Sequence, residues 1–112
     1  MSATEKERRN YPRFDLECPL RILADGDAPV RKTRTENLSD GGAFVSLPID
    51  ALPKFGSELT VALSVPRTTP NTHMLEEFTC KARVVRQQPL KQHDRAGVAL
   101  QFTRPQKLVL QV

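Results

Sequence analysis

Two short stretches hold the residues best suited to chemistry. The first, Arg8-Arg9-Asn10-Tyr11-Pro12-Arg13, crowds guanidiniums around a proline just before the first apolar pattern of the chain. The second, Asn37-Leu38-Ser39-Asp40-Gly41-Gly42, reads as a polar, glycine-bearing turn between two strand patterns. Guanidiniums present planar forks of donors that match phosphate oxygens and guanine edges. Arg9 and Arg13 lie on either side of Pro12's turn, so both can surround one compact phosphate-bearing ligand, with Arg8 adding a third fork. Asn37 and Ser39 alternate on an extended backbone, so an amide and a hydroxyl point to one side and can jointly read a base edge. Gly41 and Gly42 leave room for a purine or a phosphate to lie against the backbone. Either stretch alone has a bland reading, a solvated basic tail or an ordinary turn. Together they are expected to close on one anionic ligand.

Catalysis finds little support. His73 and His93 lie in separate polar stretches, neither cysteine adjoins a histidine, and no paired carboxylates or metal-ligand spacing occur. The expectation is no enzyme, no catalytic residue, no metal site and no cofactor. Cys18 and Cys80 each sit in an apolar strand pattern without zinc-like or redox-like spacing, which predicts two buried, reduced thiols.

The elements that must position these groups are strands. A chain of 112 residues is one domain's worth, and 38% hydrophobic residues with five Phe, one Tyr and no Trp make a modest core without a deep enclosed cavity. Phe14, Leu16, Cys18, Leu20 and Ile22 alternate with polar residues as a strand with one buried face does, and Pro19 marks an edge or a bulge. Ala24 to Pro29 is a turn, and Val30 to Leu38 reads as a surface strand with its charged side outward. Ala43 to Leu47 is a short strand, and Pro48 to Gly56 a loop. Leu59 to Val65 is a strand ended by Pro66, followed by a polar connection over Arg67 to His73. Phe78 to Val84 is the fifth strand pattern, Gln87 to Arg95 a loop, and Gly97 to Phe102 the sixth strand. Six strand patterns without a convincing amphipathic helix predict an all-β fold, a six-stranded antiparallel β-barrel, with consecutive strands as neighbours being the economical topology. Residues 1–12 are expected to form a flexible ligand-binding segment, 13–104 the barrel and 105–112 a tail. That tail, with Leu108, Val109, Leu110 and Val112, is too apolar to be left exposed and should cap a barrel end or meet another subunit.

The formal charge of +4 and a pI near 9.4 favour an anionic partner, and Lys6, Arg8, Arg9, Arg13, Arg31, Lys32 and Arg34 cluster early in the chain. No apolar run resembles a signal peptide or a membrane span, so the expectation is a cytoplasmic protein without membrane insertion.

With both motifs complete and in this order, the chain resembles the PilZ family of bacterial cyclic di-GMP receptors. The family's Arg-x-x-x-Arg motif is matched by Arg9-Asn10-Tyr11-Pro12-Arg13, and its Asp/Asn-x-Ser-x-x-Gly motif by Asn37-Leu38-Ser39-Asp40-Gly41-Gly42. Arg13-Phe14 enters the first strand as the family does, and Gly97-Val98-Ala99-Leu100-Gln101-Phe102 is similar to its closing strand. The resemblance implies a β-barrel that binds cyclic di-GMP on its outer surface, the N-terminal segment folding over the ligand and signalling to a partner protein. It implies that Arg9 and Arg13 contact phosphates and guanines, that Arg8 assists, that Asn37 and Ser39 read a guanine, and that Gly42 permits close approach. Asn37 stands where many members carry Asp, which keeps a carbonyl acceptor and removes a charge. No aromatic residue accompanies Val84, Val85 and Arg86, where some members carry one, and Arg86 is expected to stack in its stead. A downstream protein concerned with motility, exopolysaccharide or biofilm control, and a monomer or weak dimer, fit this reading. The alternatives are a PilZ-like adaptor that binds no nucleotide and a small basic nucleic-acid-binding barrel. The shortage of outward aromatic platforms disfavours the nucleic acid.

Overall fold

The computed structural model describes residues 11–26, 29–89 and 94–110. Six antiparallel strands form a closed ring in the order β1-β2-β3-β6-β5-β4. They are β1 Pro19–Ala24, β2 Arg31–Ser39, β3 Gly42–Pro48, β4 Glu58–Thr69, β5 Thr72–Pro89 and β6 Arg95–Phe102. The expected all-β barrel is thus present, but its neighbours are not consecutive throughout. β3 pairs with β6, and β4 returns to β1. The chain passes from β3 to β4 through a short 3-10 helix, Ile49–Ala51, inside the stretch read as a loop.

Several boundaries depart from the sequence reading. The alternation of Phe14 to Ile22 yields a strand only from Pro19; Phe14 makes an isolated bridge to Leu38. Between them the backbone is tied to β2 by the buried Thr35, whose hydroxyl accepts from Cys18 N–H (2.8 Å) and donates to the Leu16 carbonyl (2.6 Å). Local side-chain bonds of this kind replace ladder bonds, so apolar alternation persists without a regular strand. Pro66 does not end β4. The strand runs on to Thr69, turns at Pro70-Asn71 and returns as the 18-residue β5, so the expected polar connection is the tip of a long hairpin. β1 accompanies β4 only as far as Leu63, leaving the following part an edge, where a proline is tolerated. β5 likewise extends to Pro89, beyond the start of the loop placed at Gln87.

Leu20, Ile22, Val45, Leu59, Val61 and Val98 fill the interior and are essentially without exposure. Leu108, beyond the last strand, joins them as fully buried, and Leu110 packs against the cluster. Among the described residues the tail therefore forms no helix and contributes Leu108 to the core. Cys18 is buried and Cys80 half-buried, both as free thiols. Burial pushes both thiols up from their ordinary pKa, with the Thr35 hydrogen bond partly opposing this at Cys18.

Candidate functional site

The first requirement of the site is that the two motifs meet. The Phe14–Leu38 bridge brings the described end of the first motif, Tyr11 to Arg13, to the second, with reciprocal bonds of 2.9 Å between their N–H and C=O groups. Its antiparallel sense sets Arg13 beside Ser39, and the same offset carries Tyr11 level with Gly41. The Tyr11 ring does lie there: its Cδ2 stands 2.8 Å from where a Cβ on Gly41 would be. Arg13 is exposed at this junction. Arg8 and Arg9 fall outside the described residues.

The second motif is distributed across a tight hairpin. Asn37, Leu38 and Ser39 end β2, Asp40-Gly41 form the turn, and Gly42 begins β3. Asn37 pairs with Phe44 and Ser39 with Gly42, so the amide and the hydroxyl share one face, as their spacing predicted. Ser39 is 9% exposed; its Oγ accepts from Gly41 N–H (3.1 Å) and donates weakly to the Gly42 carbonyl (3.5 Å). One lone pair remains for a ligand donor. The glycines have tenants of their own. Tyr11 covers Gly41, and a Cβ on Gly42 would lie 2.2 Å from the Leu100 carbonyl oxygen, so close approach at Gly42 is used by β6.

Two bulges orient the rest. Between Thr35 and Asn37 the register of β2 against β3 shifts, Glu36 being the extra residue; Thr35 pairs with inward Val45, and Asn37 with outward Phe44. Between Val84 and Arg86 the register of β5 against β6 shifts in the same way, so Val84 stays inward opposite Leu100 while Arg86 turns outward opposite Ala99. Bulges re-aim side chains in this manner. Asn37, Phe44, Ala99 and Arg86 consequently form one outward row across four strands. The Arg86 guanidinium lies 5.8 Å from the Phe44 ring centroid, within cation–π range. The ring itself fills the space over Gly97, where a Cβ would meet Phe44 Cζ at 2.2 Å. Arg86 thus lies over this chain's own Phe44, a contact different from the stacking on a ligand that the sequence suggested. The inward alternation of Ala43, Val45 and Leu47 was the available signal that Phe44 faces out.

Beside this row lies a shallow concavity of about 320 Å³ lined by Lys32, Arg34 and Arg95 together with Glu17, Glu36 and Ser46. Arg95 is fixed by Ser46, its Nε donating to Oγ (2.7 Å) and Nη2 to the carbonyl (2.8 Å). Arg34 stands 3.9 Å from Glu17. Planar donors and flat faces on an outer barrel surface can grip phosphates and purines. Among the described residues, no group of three His, Cys, Asp or Glu side chains could hold a metal ion, and no helix is long and apolar enough to cross a membrane.

Comparison with known proteins agrees with the fold. No curated protein matches the chain in sequence. Among solved structures, the inhibitor of motility MotI/DgrA of Bacillus subtilis is similar over 89% of this chain, with a TM-score of 0.72 and 20% identity. This chain spans only 44% of that protein. The PilZ domain of YcgR from Escherichia coli, solved with c-di-GMP, is similar over 87% of this chain and 79% of its own, with a TM-score of 0.53 and 14% identity. The PilZ domain family model matches residues 7–111, nearly the whole chain, and the chain therefore belongs to the PilZ domain family.

Proposed function

We propose that this chain is a cyclic di-GMP receptor that acts on a partner protein without chemistry of its own. The observation that carries the reading is the Phe14–Leu38 bridge, which sets Arg13 and Tyr11 against the end of β2, with Asn37 and Ser39, and the turn after it. An unrelated basic tail and an unrelated turn have no reason to share a backbone register. Cyclic di-GMP supplies two phosphate charges and two purines, which suit guanidiniums, the Asn37–Ser39 face and the Phe44–Arg86 pair. The YcgR domain is described with this ligand, and MotI/DgrA as an inhibitor of motility. The first supports the nucleotide as ligand, and the second makes motility one candidate process. Arg8 and Arg9 complete the ligand set with Arg13, Asn37, Ser39, Gly41 and Gly42. In this scheme ligand binding changes the conformation of the N-terminal segment and alters the surface presented to the partner.

A micromolar complex is held by about 8 kcal/mol. Losing one desolvated arginine contact costs about 2 to 5 kcal/mol of that. Arg9→Ala and Arg13→Ala should each abolish micromolar binding of cyclic di-GMP by titration calorimetry, with the circular dichroism of the barrel unchanged. Wild-type affinity in both variants would remove the assignment.

A further inference from the structure

We infer that Asp40 is a positioning residue for the ligand turn, and that the segment after β6 is a brace acting through it. The ligand side of this inference rests on the cyclic di-GMP reading; the brace itself rests on contacts seen in the fold. No ligand role was given to Asp40 above, yet both its carbonyl and its carboxylate are engaged by the segment after β6. Its carbonyl accepts from Gln106 N–H (2.8 Å), and its Oδ1 accepts from Leu108 N–H (3.2 Å). The neighbouring Gly41 carbonyl accepts from Phe102 N–H (2.9 Å). The turn is thus tied to the end of β6 through Gly41 and to the segment that follows it through Asp40.

The far end of the brace is equally anchored. Leu108 is fully buried in the core. Arg67, on the long hairpin, donates to the carbonyls of Leu108 and Val109, the latter at 2.8 Å. Arg67 is itself held by Glu76 at 3.0 Å and lies 6.0 Å from the Phe78 ring centroid. Val109 has a φ of 54°, a conformation a β-branched residue adopts only where its surroundings impose it. Here the imposing contacts are the Arg67 fork and the buried Leu108. A rigid chain of contacts therefore runs from Arg67 through Leu108 to Asp40. Because Ser39 leads directly into the turn and Gly42 directly out of it, the turn cannot shift without moving the groups that face the ligand. Arg67, which touches none of those groups, should influence ligand affinity through the brace.

The test combines amide hydrogen exchange of the free protein with calorimetric titration of cyclic di-GMP, on wild type, Asp40→Ala, Asp40→Asn and Arg67→Ala. The Gly41 amide, bonded to Ser39 Oγ, reports the turn. Losing a bracing hydrogen bond should raise its exchange in Asp40→Ala and Arg67→Ala about fivefold and weaken ligand binding by a similar factor. Asp40→Asn keeps a carbonyl acceptor for Leu108 N–H and should stay within about twofold of wild type in both readouts. If Arg67→Ala does not fold, Arg67→Lys, which keeps the charge and loses the fork, takes its place. Wild-type affinity in the Arg67 variant overturns the inference, as does an Asp40→Asn defect equal to that of Asp40→Ala. Should wild type bind no cyclic di-GMP, the receptor reading falls and the brace is judged on exchange alone: unchanged Gly41 exchange in the Arg67 variant overturns it.

Discussion

Gly42 and Gly41 adjoin in sequence but answer to different constraints. A Cβ at Gly42 meets backbone, the Leu100 carbonyl at 2.2 Å, whereas one at Gly41 meets the ring of Tyr11, a side chain that can swing away. Gly42→Ala should therefore cost about 1 to 3 kcal/mol or more by denaturant unfolding, the usual penalty for forcing atoms into a packed site. Gly41→Ala should cost under about 1 kcal/mol. It should instead alter the fluorescence of Tyr11, the sole tyrosine of the chain. Equal losses would show that the contact at Gly42 is relaxed. In the sequence both glycines offered room for a ligand, because the strand that fills one space and the ring that fills the other come from distant positions. The thiols give a second prediction at this scale. Burial raises the pKa of Cys18 and Cys80, so the unfolded chain loses these protons at lower pH than the folded one. The stability they contribute is complete below about pH 8.5 and declines as pH rises beyond it. Denaturant midpoints of wild type should fall from pH 8 to 10 more steeply than those of Cys80→Ala, and parallel slopes would contradict this.

Among the elements, the two bulges decide what the site contains. Without Glu36 as an extra residue Asn37 would share the inward parity of Thr35, and without Val85 as an extra residue Arg86 would share that of Val84. Both would then enter the core as polar groups without partners, at a cost no small barrel tolerates. Because the bulge at Val85 turns Arg86 outward onto Phe44, Arg86→Ala should weaken cyclic di-GMP binding by about 1 kcal/mol, roughly fivefold in Kd. Titration of that variant checks it, and unchanged affinity would leave the pair a purely structural contact. The strands were legible in the sequence because apolar alternation sets parity along each one. Bulges break that parity with a single residue of no special type, Glu36 or Val85, which is why the Phe44–Arg86 pair could not be read beforehand. Proline misled for a different reason: Pro66 stops a central strand but not the edge that β4 becomes beyond Leu63, where β1 no longer pairs with it.

At the scale of the whole molecule, ring closure by β3–β6 and β1–β4 pairing makes the chain beyond Phe102 a working part of the barrel. Leu108→Ala removes a fully buried side chain and should cost about 2 to 5 kcal/mol in thermal or denaturant unfolding. A loss under about 0.5 kcal/mol, typical of surface positions, would place the segment outside the fold. The six strands and the meeting of the two motifs were accessible from pattern and resemblance, whereas the strand order was not, since nothing local in Pro48 to Gly56 distinguishes a hairpin loop from a crossover. The central claim concerns the ligand, and isothermal titration of the wild-type chain with cyclic di-GMP at moderate salt, with GTP and linear pGpG as controls, tests it most directly. Saturable binding at micromolar or lower concentration, absent with both controls, is the predicted result. No heat change and no competition at high micromolar cyclic di-GMP would contradict the account and favour an adaptor whose barrel serves protein contacts alone.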